Sequence, residues 1–173
     1  MSNILIIYSS VHGQTRKICA YLEDKFVALG DKVTMSSLDQ VPDLNDFDKV
    51  VLGASIRHGK HNPNVYDFIS QNRAILEEKT SSFFSVNLVA RKPAKNTPQT
   101  NPYMLAFIEK SEWQPNLLQV FAGSLNYQGY GVVDRNIIRF IMWMTKGPTD
   151  AQTNIEYTDW AKVDLFSSEF HAL

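Results

Sequence analysis

Cysteine is almost missing from this sequence. Cys19 is the only one in 173 residues, which excludes an internal disulfide framework and suits a reducing cytoplasm. No Cys/His pair has zinc-site spacing, so no structural metal is expected. Long apolar runs are lacking as well. No stretch approaches the roughly 18 residues that span a bilayer, which excludes an integral helical membrane protein but not one resting on a membrane surface. An excess of one charge sign is also absent, with 17 Lys and Arg against 18 Asp and Glu for a formal net charge of -1. That balance points neither to nucleic acid as a partner nor to a strongly acidic carrier. Met1-Ser2-Asn3-Ile4 enters an apolar run with no basic flank or small-residue cleavage site, which predicts a mature strand rather than a signal peptide. With no repeat, low-complexity tract or linker in view, residues 1–173 are expected to form a single domain.

What is present is an alternation of periods. Ile4 to Tyr8 is a short, nearly all-apolar run, as expected of a parallel strand buried on both faces. From Thr15 the spacing lengthens to that of a helix, with Ile18, Leu22, Phe26 and Leu29 inward and Gly30 as the stop. Further strands are predicted at Lys32 to Leu38, Val50 to Ala54, Ser82 to Leu88 and Leu117 to Leu125. Helices are predicted from Pro63, near Tyr103 to Glu109, and after a cap at Thr158 or Asp159. Ser55 to Asn62 and Lys92 to Pro102 are expected to be loops. Five strands joined by right-handed crossovers predict an α/β doubly wound parallel sheet of flavodoxin-like order 2-1-3-4-5. The segment Asn126 to Asp150 interrupts the alternation and predicts an extra helix, Val132 to Thr145, after the fifth strand.

The most informative loop is Ser9-Ser10-Val11-His12-Gly13-Gln14-Thr15, between the first strand and the first helix. Successive N–H groups and a helix N-terminus attract an anion there. Hydroxyls at Ser10 and Thr15 add donors, and Gly13 lets the backbone approach closely. A dinucleotide site needs G-x-G-x-x-G and a triphosphate site a glycine-rich loop ending in Gly-Lys-Ser/Thr; neither is present. No lysine reaches in, which suits a monophosphate held by neutral donors. The alternative is a plain tight turn with an N-cap. The loop resembles the Ser/Thr-x-Thr-Gly-x-Thr phosphate loop of flavodoxins at Ser10, Gly13, Gln14 and Thr15, with His12 as the departure. That resemblance implies FMN. The paired acids of a receiver domain are missing from Tyr8-Ser9-Ser10.

Four further stretches narrow the resemblance: Gly53-Ala54-Ser55-Ile56-Arg57 with Gly59, the run from Phe84 to Pro93, Thr97-Pro98-Gln99-Thr100-Asn101, and Tyr157-Thr158-Asp159-Trp160. They are similar to the bacterial menaquinone-dependent protoporphyrinogen IX dehydrogenases over essentially the whole chain. The resemblance implies an FMN oxidoreductase of haem biosynthesis. It would take six electrons and six protons from protoporphyrinogen IX in three two-electron steps and deliver the electrons to a membrane quinone, menaquinone or ubiquinone. The implied location is the cytoplasm, peripherally on the cytoplasmic face of the inner membrane. Two rivals on the same fold are a flavodoxin-type electron shuttle and an NAD(P)H-quinone reductase.

Ligands of open α/β sheets sit beyond the carboxyl ends of the strands, at the switch in strand order. Ser55, Ile56 and Arg57 on one side, and Asn87, Leu88, Val89 and Ala90 on the other, are therefore expected to flank a flavin ring. Arg57 reads equally as a solvated loop charge. The flavin carries the redox step, so no catalytic side chain is assigned; His12, His58 and His61 near two loops do not amount to a general base. The two propionates implied for the substrate call for cations, for which Arg57, Arg91 and Lys92, with Lys95, are candidates. Lysines in a long loop also serve solubility alone. Cys19 reads as a small core residue. On the predicted helix Val132 to Thr145, residues Val133, Ile137, Phe140, Ile141 and Met144 make one apolar face. Arg135 and Arg139, continued by Trp143 and Lys146, make a basic row that suits a membrane interface. A helix docked on the sheet, or a lid over the flavin, is the other reading.

Overall fold

Along the first strand, β1 (Asn3–Ser9), Leu5 and Ile7 point to one face of the sheet while Ile4 and Ile6 point to the other, and all four are fully buried. A strand covered on both faces needs a helical layer on each side. The structure, a computed structural model describing all 173 residues, supplies both layers. Residues Leu5, Ile7, Val50, Leu52, Phe83 and Val120 pack under α2 (Pro63–Glu78) and α3 (Pro102–Ser111). Residues Ile4, Ile6, Val51, Phe84 and Phe121 pack under α1 (Gln14–Ala28) and α5 (Trp160–Ala172). Cys19 lies in this second layer, fully buried, and burial pushes its thiol pKa upward, as a core residue requires.

The sheet continues through β2 (Lys32–Ser37), β3 (Lys49–Arg57), β5 (Thr80–Asn87) and β6 (Leu117–Ala122), all parallel, in the order β2-β1-β3-β5-β6. Counting the parallel strands alone, this is the 2-1-3-4-5 order of flavodoxins. One close approach fixes β3 against β5: a Cβ on Gly53 would fall 2.3 Å from Cζ of Phe84, so only glycine leaves room for that ring.

Two expectations need correction. The loop after Ala54 is in fact strand: β3 runs on to Arg57 and folds back as β4 (Lys60–His61), paired antiparallel. His58 and Gly59 turn the corner with φ of 50 and 78, the left-handed pair that suits strand twist in a tight hairpin. The predicted strand Leu117 to Leu125 breaks at Gly123. Its tail, β7 (Ser124–Asn126), leaves the parallel sheet and pairs antiparallel with β8 (Asn154–Glu156). Between them the chain makes an excursion carrying α4 (Val132–Met144).

The orientation of α4 also differs from the sequence pattern. It docks through Ile138 and Met142 onto Leu125, Tyr127 and Tyr130. Val132, Val133, Phe140, Trp143 and Met144 are each more than half exposed. The inward stripe is the i, i+4, i+8 row of Asp134, Ile138 and Met142; of the expected apolar face, Val133, Phe140 and Met144 look outward while Ile137 and Ile141 are half-buried.

Candidate functional site

The carboxyl ends of β1, β3, β5 and β6 open into a cavity of about 110 Å³, continuous with solvent. At one end lies the phosphate-type loop. Gly13 takes the left-handed conformation at the N-cap of α1 and gives that helix no side-chain cap. A 15-residue helix thus presents its first N–H groups without an internal acceptor, which is the arrangement that holds an anion. Ser10 Oγ accepts from Gly13 N at 3.1 Å. Thr15, 1% exposed, lines the cavity with its Oγ1 buried and without a partner. A buried orphan hydroxyl is costly and calls for a ligand. A monophosphate answers both needs.

The other loop residues take varied positions. His12 and Gln14 line the cavity, whereas Val11 is exposed. Gln14 Nε2 donates to Thr158 Oγ1 at 2.9 Å and to Glu156 at 3.2 Å. Thr158 in turn donates to Ala122 O at 2.7 Å. The Tyr157 to Trp160 stretch therefore braces the start of α1.

The middle wall is built from β3 and β5. Ser55, Ile56 and Arg57 line it, as do Asn87, Leu88 and Val89; Ala90 lies just behind, 5% exposed. Asn87 caps the turn Leu88–Arg91, accepting from Ala90 N at 3.1 Å. The far wall is α4, contributing Asp134, Ile137, Ile138 and Ile141, with Tyr103 and Tyr130 nearby. Sequence reasoning missed Asp134. It reads as an ordinary acid in a helix's first turn, and only its place on the inward row with Ile138 and Met142 hinted otherwise.

Asp134 is 8% exposed and gathers three groups from two loops. Its carboxylate meets His58 Nε2 at 2.7 Å, Arg57 Nη2 at 3.4 Å and His12 Nε2 at 3.5 Å. The hydrogen bond from His58 and the charge of Arg57 hold the Asp134 carboxyl below the usual range. Burial lowers the His12 pKa against the pull of Asp134. His61 lies elsewhere, buried beneath β5 and hydrogen-bonded to Ser85 Oγ at 2.8 Å. Burial alone takes its pKa down to about 4. The three histidines are thus two cavity groups and one core group.

The candidate cations also divide. Arg91 donates to Leu88 O at 2.9 Å and to Thr145 Oγ1 at 3.0 Å, tying the turn after β5 to the end of α4. Lys92 stands beside Arg91, Lys95 and Lys146; desolvation and the like charges lower its pKa. Neither Lys92, Lys95 nor Lys146 makes an ion pair. On α4, Arg135 donates to Tyr127 O at 3.0 Å and Arg139 to Thr149 O at 3.0 Å, so both guanidiniums are anchored to the excursion's own backbone. Trp143 is 68% exposed. No helix is long and apolar enough to cross a membrane.

Comparisons with known proteins bear on the family and the fold. The flavodoxin domain family matches residues 5–152. Protoporphyrinogen IX dehydrogenase (quinone) of Escherichia coli strain K12 is 41% identical over 95% of this chain and 92% of its own. The protein of the same name from Leishmania major is 42% identical over 98% of this chain and 74% of its own. Among solved structures, oxidised flavodoxin 1 from Bacillus cereus matches with TM-score 0.57 at 18% identity, covering 98% of this chain and 97% of that one. Two-electron reduced flavodoxin from Megasphaera elsdenii matches with TM-score 0.53 at 17% identity over 68% and 84%. At those identities the solved structures speak for the fold alone. By its flavodoxin domain and its near full-length similarity, the chain belongs to the family of quinone-linked protoporphyrinogen IX dehydrogenases.

Proposed function

We infer that this chain binds FMN, oxidises protoporphyrinogen IX, and passes the electrons to a quinone, menaquinone or ubiquinone, at a membrane surface on the cytoplasmic side. The observation that carries this reading is one cavity with an anion cradle at one end and an apolar helix wall at the other. The uncapped start of α1 and the orphan Thr15 hydroxyl suit the phosphate of FMN. Bound FMN would supply the two-electron redox chemistry.

The protein's own part is to hold and enclose. Ser10, Thr15 and the amides of the Val11-His12-Gly13-Gln14 turn bind the phosphate. Ser55, Ile56 and Arg57, opposite Asn87, Leu88, Val89 and Ala90, flank the ring. Ile137 and Ile141 exclude water and receive an apolar reactant. Lys92, Lys95 and Lys146, free of counter-ions, are the groups for the propionates, while Arg57 and Arg91 act through Asp134 and Thr145. The exposed apolar residues of α4 are the surface for a bilayer, where a quinone is reached.

Anaerobic mixing of holoprotein with protoporphyrinogen IX tests the reading. The flavin absorbance should bleach before any quinone is added and recover when menadione follows. Bleaching by NADPH but not by the porphyrinogen would establish the reductase instead. Bleaching by neither would leave an electron shuttle.

A further inference from the structure

The run from Ser85 to Asn101 contains buried polar side chains that the phosphate cradle and α4 do not use. Ser85 and Asn101 are fully buried, Asn87 is 4% exposed and His61 is 3% exposed. Such groups destabilise a core unless each finds a partner. These four satisfy one another. Asn101 Nδ2 donates to Asn87 Oδ1 at 2.9 Å and to Lys95 O at 2.9 Å. Asn87 Nδ2 donates to Asn101 Oδ1 at 3.3 Å and to Ser85 Oγ at 3.1 Å, and Ser85 meets His61. The outer lone pairs reach the backbone: Asn87 Oδ1 accepts from Ala90 N, and Asn101 Oδ1 accepts from Tyr103 N and Met104 N.

The reciprocal amide pair therefore pins three backbone segments at once: the turn Leu88–Arg91, the carbonyl of Lys95, and the first turn of α3. Apolar side chains would fill the same space without needing partners. What the polar set provides is a single fixed placement of the turn. That turn lines the cavity two strands along the sheet from the phosphate-type loop, roughly 10 Å at the usual strand spacing.

We propose that Asn101, which lies outside the cavity lining and acts through Asn87, is a positioning residue for the flavin ring: the buried pair sets the placement of backbone dipoles along the ring, and with it ring affinity and reduction potential. The proposal rests on the FMN reading above. Fixed dipoles beside a flavin tune its electronics, and a misplaced turn loses that effect.

The test uses riboflavin, which lacks the phosphate. Asn101→Ser keeps a hydroxyl to cap α3 but loses the amide donors to Asn87 and Lys95. Apoprotein is titrated with FMN and with riboflavin by fluorescence quenching, and the midpoint potential of bound FMN is measured. The expected result is an equal weakening for both ligands, on the order of tenfold, together with a shifted potential. A tenfold difference between oxidised and reduced affinities corresponds to about 30 mV for two electrons. Thr15→Val should weaken FMN alone. Ser85→Ala, which leaves the cap of α3 intact, should reproduce the Asn101→Ser pattern in smaller measure and decides the matter if Asn101→Ser does not fold. Unchanged affinity and potential, or weakening confined to FMN, would overturn the proposal while FMN binding stands. A Thr15→Val protein with normal FMN affinity would instead remove the phosphate assignment. Wild-type protein that takes up neither ligand would overturn both.

Discussion

His61 shows how one buried side chain writes a pH dependence into the whole protein. Its pKa is about 4 in the folded state and about 6.5 in an unfolded chain. The unfolded state therefore binds more protons between those values. Stability is complete above pH 6.5 and falls as pH drops toward 4, by up to about 1.4 kcal/mol per pH unit. Urea melts at pH 7 and pH 5 should show that loss in the wild type and a shallower one in His61→Gln; equal losses would mean another group controls the slope. Arg91 and Lys92 are neighbours with separate parts. Arg91→Ala unties the turn from Thr145 and should slow flavin bleaching and reoxidation alike. Lys92→Ala should slow bleaching only, by about tenfold to hundredfold if a propionate bond worth about 1.5–3 kcal/mol is lost; the two half-reactions are followed separately by stopped flow. At this scale the sequence was legible for local loop geometry: Gly13 is left-handed at the start of α1, and Ser10 and Thr15 line the cavity. It was not legible for His61 or Arg91, because which of several loop residues turns inward depends on contacts distant in the chain.

Among the elements, α4 is tied down by one carboxylate as well as by the packing of Ile138 and Met142. Asp134 joins it to His12 in the first loop and to Arg57 and His58 in the β3–β4 hairpin. Asp134→Asn keeps the shape and removes the charge. Losing a charge-assisted bond worth about 1.5–3 kcal/mol should raise local opening of α4 about tenfold to hundredfold. Hydrogen exchange should show this in residues 132–144 while the amides of β1 and β5 keep their protection; slowed exchange, or loss of protection across the sheet, would contradict the latch. The bounds of α4 were readable from its period, as were the five parallel strands and the long helices. Its facing was not, because the apolar side is divided: Ile137 and Ile141 line the cavity, while Val133, Phe140 and Met144 are exposed. The short strands β4 and β8 escaped notice, and β7 was merged with the fifth strand, for a different reason: two or three residues carry no period.

Over the whole molecule, one surface combines an exposed apolar helix face with the unpaired cations Lys92, Lys95 and Lys146. Each lysine near an anionic bilayer adds about 1 kcal/mol of attraction, and salt screens it. Co-sedimentation with anionic vesicles should weaken at high salt and fall further in Phe140→Ser, Trp143→Ser. The double change Arg135→Gln, Arg139→Gln should disturb it less, because those guanidiniums already hold carbonyls. Binding that is lost with the arginines and kept without the aromatics would reverse this order. Strand order was legible from the alternation of five strands with helices and the right-handed crossover rule, whereas the surface required knowing how α4 sits.

The excursion that bears α4 leaves the sheet at Gly123 and returns at Tyr157, whose N–H bonds the Gly123 carbonyl at 3.0 Å. Departure and return are thus next to each other, and the host sheet meets the whole stretch as though it were a short turn. Closing so long a stretch in place of a tight one costs about 2 kcal/mol of chain entropy. A segment docked on these terms is exchangeable in principle: its sequence can vary in length and surface chemistry without altering strand register. Specialisation of this scaffold for different partners then becomes a matter of what is inserted at one peptide junction.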